Sequence, residues 1–281
     1  MAVPSKIITA IAPGFVSVII RSGILNQWIC KLTKKNSSSS SAEIGTIPAP
    51  VMIVSFSIDA SKQAAFDDFY QHEFLPALLI NAPEIKAISR YEEFGVDGSL
   101  RWYDRQYLTI YEFVSAEGKA AGDAMFGRPA LAKELKEFKR WKDSELKNFA
   151  RRNYDCIYEH PRRPATYFGN QALFIVTCEI KPELEADFHK WYHGHYLPKN
   201  LADVPTWSAC RRYKADACGD GSPARYLTIC QSNDEAALGR SLELMMAHHR
   251  LKENEAWHQW VGKSIINQDA GSFRSIYVLP G

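Results

Sequence analysis

The sequence predicts an α+β protein made of two tandem β-α-β-β-α-β repeats that pair with each other into one barrel. Three observations carry this expectation. The first is an internal duplication: residues 66–76 read FDDFYQHEFLP and residues 188–198 read FHKWYHGHYLP, 122 positions apart. Pro83 matches Pro205 at that offset, and Ser89-Arg90-Tyr91 matches Arg211-Arg212-Tyr213. Farther on, 107–110 (YLTI) matches 226–229, and Asp155-Cys156-Ile157-Tyr158 matches Arg274-Ser275-Ile276-Tyr277, now 119 apart because of a three-residue indel. The second is that each copy opens on a run rich in β-branched and apolar residues, VMIVSFSI at 51–58 and ALFIVTCEI at 172–180. The third is a 3–4 spacing of apolar residues shortly after each run, the pattern of an amphipathic helix.

In the second copy Pro182 suits a helix start, and Phe188, Trp191, Tyr192, His195 and Tyr196 share one broad face. In the first copy Phe66, Phe69, Tyr70, Glu73 and Phe74 take the matching face. Pro76 and Pro198 are expected to terminate or kink these helices. Strands follow at 89–94 and 209–214, then at 106–113 and 225–231, with the glycine-bearing segments 95–98 and 219–221 as turns. One or two helices fall in 127–150 and 234–264, and a last strand in 155–158 and 274–279. A four-stranded sheet with helices on one face leaves its other face apolar and in need of a partner. The second copy supplies that partner, with the helices outside and a cavity or a dry core between the sheets. The organisation is a flexible basic leader (1–50), a first half-barrel (51–160), a Pro/Arg-rich connector (161–171) and a second half-barrel (172–281).

Composition narrows the function classes. The 281 residues are 46% apolar and 23% charged, a globular balance that excludes wholesale disorder and a polytopic membrane protein. The net charge of +2 divides unevenly: Lys6, Arg21, Lys31, Lys34 and Lys35 all precede the first acid, Glu43, so the leader carries +5 and the remainder −3. Neither value points to nucleic acid, whose phosphates need a concentrated basic surface. Residues 7–20 are uncharged but too few for a spanning helix. The leader therefore reads as disordered or weakly amphipathic, with organelle targeting or weak membrane association as alternatives. The six cysteines form no CxxC pair and no zinc pattern. They read as buried free thiols, which fits a reducing compartment such as the cytoplasm.

The helix ending WYHGHYLP, the proline-containing turn after it and the strand CRRY together resemble the signature of the dimeric α/β-barrel superfamily of ferredoxin-like folds, particularly EthD-like proteins. The resemblance implies a barrel of paired ferredoxin-like halves. It spans cofactor-free monooxygenases, lyases, isomerases, haem enzymes and non-catalytic proteins, so it implies no single reaction. The family's helix histidine falls at His195. The first copy departs from the pattern, with Glu73 at the equivalent position and His72 one residue earlier, so the halves are expected to differ.

Read from the residues alone, His195 is either a general acid–base group near neutral pH or a core histidine bonded to backbone or tyrosine. Glu73 is either a second acid–base group or the partner of an arginine such as Arg90. Arg212 either binds a carboxylate or stabilises an enolate, or it satisfies an acidic neighbour. Tyr192 and Tyr213 are candidates to hold a substrate oxygen. His189 and His193, four apart, read as a surface pair, as does His248-His249. No H-E-x-x-H, G-x-G-x-x-G, Walker A or G-x-S-x-G motif is present. The expected function is a cofactor-independent acid–base enzyme (lyase, dehydratase, decarboxylase, cyclase or isomerase type) acting on a small apolar or aromatic metabolite in a barrel cavity. The alternatives are cofactor-independent oxygenation of an activated phenol or anthrone, haem chemistry at one of the histidines, and a non-catalytic binding or stress-associated barrel. The only expected partner is the small molecule, with the chain as a monomer or homodimer.

Overall fold

A computed structural model describes residues 49–95, 106–160, 168–215 and 226–281. The basic leader, most of both glycine turns and most of the connector lie outside the described residues. The first copy contributes β1 (Val51–Ser57), α1 (Ala60–Phe69), α2 (Leu75–Asn81), β2 (Ile85–Glu93), β3 (Tyr107–Phe113), α3 (Ala116–Gly122), α4 (Ala132–Ser144) and β4 (Lys147–His160). The second contributes β5 (Ala172–Ile180), α5 (Glu185–Trp191), α6 (Leu197–Asp203), β6 (Trp207–Ala215), β7 (Tyr226–Ser232), α7 (Glu235–Met245), α8 (Leu251–Ser264) and β8 (Ile265–Pro280). The strands form one closed antiparallel barrel in the order β1-β3-β2-β8-β5-β7-β6-β4.

Strand exchange joins the halves. β4 pairs with β1 from Lys147 to Tyr154 and with β6 from Tyr154 to His160. β8 pairs with β5 from Ile265 to Phe273 and with β2 from Phe273 to Pro280. Serving two partners makes these strands 14 and 16 residues long, far longer than the last strands expected from sequence. Register shifts at Cys156/Tyr158 and Arg90/Tyr91 interrupt the alternation through which such a strand is recognised.

Alternation along the strands sorts side chains into two environments. Leu108, Ile110, Leu173, Ile175, Leu227 and Ile229 fill the barrel interior together with Tyr91 and Tyr213. The opposite sheet face packs under the helices as two clusters, one around Phe66, Tyr70 and Phe74 and the other around Phe188, Tyr192 and Tyr196. Each fully buried aliphatic or aromatic side chain in these layers contributes about 1.5–3 kcal/mol. Cys156, Cys178, Cys210 and Cys230 are buried free thiols. Among the described residues no helix is long and apolar enough to cross a membrane.

Both signature helices contain a wide turn at the same place. Residues Tyr70–Phe74 and Tyr192–Tyr196 are π-helical, with the Leu75 N–H donating to the Tyr70 carbonyl and the Leu197 N–H to the Tyr192 carbonyl. The prolines therefore do not end the helices, which continue as α2 and α6. Pro76 and Pro198 donate no hydrogen bond, so the ladder is interrupted there in any case. The wide turn just ahead of each proline absorbs the interruption.

Candidate functional site

The π turns decide which side chains reach the sheet. A π turn holds one residue more than an α turn, so the apolar face slips by about one position as the chain passes through it. Tyr192, Tyr196 and Leu197 are buried, whereas His195 is exposed. Glu73 likewise lies outside, with its side chain 54% exposed and 3.6 Å from Lys133, not beside Arg90. The expectation that His195 and Glu73 share the inner face with these aromatics is thus corrected. It assumed an uninterrupted 3.6-residue period.

Tyr213 also leaves the group. Arg212 and Tyr213 are neighbours on β6 and so point to opposite faces of the sheet. Tyr213 lies in the barrel interior, and Arg212 lies under the helices with Tyr192. Of the five site residues expected from sequence, the structure brings together Arg212 and Tyr192. The acidic neighbour considered for Arg212 belongs instead to Arg211, which holds Glu159 at 2.8 Å.

What surrounds Arg212 repeats what surrounds Arg90. Both side chains are fully buried. Arg90 faces Thr109 on β3 and Tyr277 on the exchanged strand β8, and Arg212 faces Thr228 on β7 and Tyr158 on the exchanged strand β4. Each site therefore draws on both halves of the chain. The Arg90 guanidinium lies 4.9 Å from the centre of the Tyr70 ring, and that of Arg212 lies 4.3 Å from Tyr192 and 5.1 Å from both Phe188 and Tyr226. The two sites differ in what stands against the cation. Arg90 lies 2.8 Å from Asp67 on α1, in ion-pair contact. The residue matching Asp67 in the second copy is His189, and Arg212 has no acidic side chain in ion-pair contact among the described residues; the guanidinium nitrogens of both arginines otherwise lack hydrogen-bond partners there.

The position of the missing carboxylate is occupied by imidazole chemistry. His189 and His193 stack at 5.2 Å, and Tyr158 stacks on His193 from the other side at 4.7 Å. Burial, reinforced by the Arg212 and His189 charges, pushes the His193 pKa down to about 3. His193 is thus neutral at pH 7, and its Nε2 is buried without a partner among the described residues. The Tyr192 hydroxyl donates to Thr228 Oγ1 at 3.4 Å, and burial holds its pKa well above the ordinary value although Arg212 opposes this. In the first copy the Tyr70 and Tyr111 hydroxyls bond to each other at 2.5 Å, and the residue matching Tyr111 is Cys230.

Sequence reasoning placed His189 and His193 on the surface. A signal for their role existed: the duplication keeps both arginines but exchanges Asp67 for His189. A buried cation whose carboxylate partner is replaced by an imidazole marks a candidate place for an anion to be stabilised. His248 and His249 are exposed, as expected. Among the described residues no group of three or more His, Cys, Asp or Glu side chains is placed to hold a metal ion.

No protein-family model matches the chain, and no curated protein does. Solved structures with the same fold do. An anthrone oxidase-like protein superposes with a TM-score of 0.56 at 11% identity, over 84% of this chain and 94% of that one. A candidate monooxygenase from Fusobacterium nucleatum gives 0.54 at 8% identity, over 83% and 95%. Another from Lactobacillus acidophilus gives 0.51 at 9%, over 83% and 96%. At these identities the likeness is one of fold: a closed barrel of two ferredoxin-like halves.

Proposed function

We propose that the Arg212 site binds the anion of an activated phenol or anthrone and lets it react with dioxygen without a cofactor. The observation that carries this reading is a fully buried guanidinium with no anionic partner, whose symmetry mate has one. A cation held in a low-dielectric layer strongly favours an oxyanion placed against it. Neutral His193 accepts the proton from the acidic carbon. The enolate oxygen forming beside Arg212 offsets the guanidinium repulsion, one of the causes that depress His193, and so strengthens the base as the proton moves. The enolate then reduces dioxygen and combines with it, and the resulting peroxide takes the proton back from His193 to give a hydroperoxide on that carbon. Loss of water leaves a carbonyl. In sum, one methylene group and one dioxygen become one carbonyl and one water, with the substrate supplying all the electrons. Tyr192 and Tyr158 form the aromatic walls. The likeness in fold to a structure described as an anthrone oxidase-like protein supports this reading.

The test is oxygen uptake by the full chain with anthrone as the probe. The expected result is one dioxygen consumed per anthraquinone formed, with Arg212→Met slower by about 100-fold, the scale of a lost oxyanion contact. Exchange of the anthrone methylene protons with deuterated solvent, without oxygen uptake, supports the acid–base enzyme of lyase or isomerase type at the same residues. Neither activity, or full activity in Arg212→Met, removes the proposal.

A further inference from the structure

The first half contains a feature that the Arg212 site does not use. A cavity of about 670 Å3 opens between α4 and the strands β1, β3 and β4, within the roughly 300–1,000 Å3 typical of small-molecule sites. Its walls are aromatic: Phe74, Phe126, Phe138 and Phe149 line it. Phe138 stacks on Phe74 at 4.7 Å, so the wall is a preformed set of ring faces.

The rim is cationic. Leu135, Phe138, Lys139 and Lys142 follow the 3–4 spacing along α4 and line the cavity together, with Arg151 from β4 opposite. Among the described residues no acidic side chain lines it. Lys139 also bonds Asp143, while the Lys142 ammonium lies 5.1 Å from the Phe149 ring and the Arg151 guanidinium 4.6 Å from Phe126. These two cations therefore stand directly over the aromatic wall.

The second half has not kept this arrangement. The positions matching Lys139, Lys142, Phe149 and Arg151 hold His258, Val261, Gln268 and Ala270, and Phe138 is matched by the larger Trp257, stacked on Tyr196 at 5.3 Å. The aromatic cavity with a basic rim is thus a property of these residues and not of the repeat.

We propose that this cavity is a second binding site, for a planar aromatic carboxylate whose ring lies among the phenylalanines and whose carboxylate meets Lys142 and Arg151. Apolar walls give affinity for the ring, and the two cations select the anion over its neutral analogue. The site is separate from Arg212, so it stands whether or not the second half performs the proposed reaction.

Calorimetric titration of the full chain with 2-naphthoate and with neutral 2-naphthamide tests it. Both are measured in an Arg212→Met background, which excludes binding at the other site. The carboxylate is expected to bind at least about tenfold more tightly than the amide, with the difference shrinking as salt is raised. The rim variant Lys142→Gln/Arg151→Gln, substituted at exposed positions, should abolish that preference. A second variant, Ala150→Trp, should fill the cavity and remove binding of both ligands. Equal affinity for the two ligands, a preference that survives in the rim variant, or no binding by a chain with native circular dichroism overturns the proposal.

Discussion

Replacing Arg212 with Met should leave the ligand-free fold as stable as before or more stable, whereas the same change at Arg90 should destabilise it. Both guanidiniums are fully buried and rest on tyrosine rings. Taking an ion out of water costs several kcal/mol even after relaxation. At Arg212 the compensation is three cation–π contacts, each about 0.5–2 kcal/mol. Removing the charge recovers the desolvation cost and loses those contacts, so the balance lies between about zero and a gain of a few kcal/mol. At Arg90 the same substitution strands Asp67, whose side chain is only 22% exposed. Leaving a largely buried carboxylate unpaired costs about 1–3 kcal/mol. The two variants should therefore separate by about 2 kcal/mol or more. Urea unfolding followed by far-ultraviolet circular dichroism measures this as opposite or unequal shifts of midpoint at constant slope. If Arg212→Met loses as much stability as Arg90→Met, the aromatic cage satisfies the cation completely. Arg212 then has no unmet need for an anion.

Two further outcomes follow from the barrel. Glu112 is buried in the interior, where it accepts the Phe168 N–H at 2.8 Å, and burial pushes its pKa up from 4.5 to about 7. Between those values the folded chain holds a proton that the unfolded chain has released. Stability from this group is therefore present below about pH 4.5 and is lost as pH rises through 7, by about 3 kcal/mol. Glu112→Gln keeps the acceptor and removes the titration, so its stability relative to wild type should rise between pH 4.5 and 8; a constant difference across that range refutes the assignment. Gly122 is close-packed: an added Cβ would lie 2.6 Å from a carbon of the Phe113 ring. Gly122→Ala should cost about 1–3 kcal/mol by overpacking, measured as a lower thermal midpoint, and Phe113→Leu in the same chain should restore part of it.

Much of this architecture is legible in the chain. The duplication, the two apolar opening runs and the helix spacing identify two β-α-β-β-α-β units, because local patterns with fixed periods need no tertiary knowledge. The separation of Arg212 from Tyr213 was legible too, since alternation along a strand is strict. Other features were not. His195 and Glu73 are turned outward by π turns, and a single inserted residue leaves little trace in composition. The lengths of β4 and β8 come from pairing with the opposite half. A strand that changes partners midway crosses a bulge and loses its alternation.

The residues alone determined that two similar halves exist and that each carries an arginine-tyrosine pair after its signature helix. Hydrophobic periodicity and repetition are properties of the chain itself. The tertiary structure alone decided what stands against each arginine. Asp67 reaches Arg90, while the second copy presents His189 and His193 to Arg212. That difference depends on which residues of α1 and α5 the packing sets over β2 and β6, and on a tyrosine brought by the opposite half. Both are long-range consequences of packing. The asymmetry that matters thus lies at Asp67 and His189, where a charge is paired in one half and unpaired in the other.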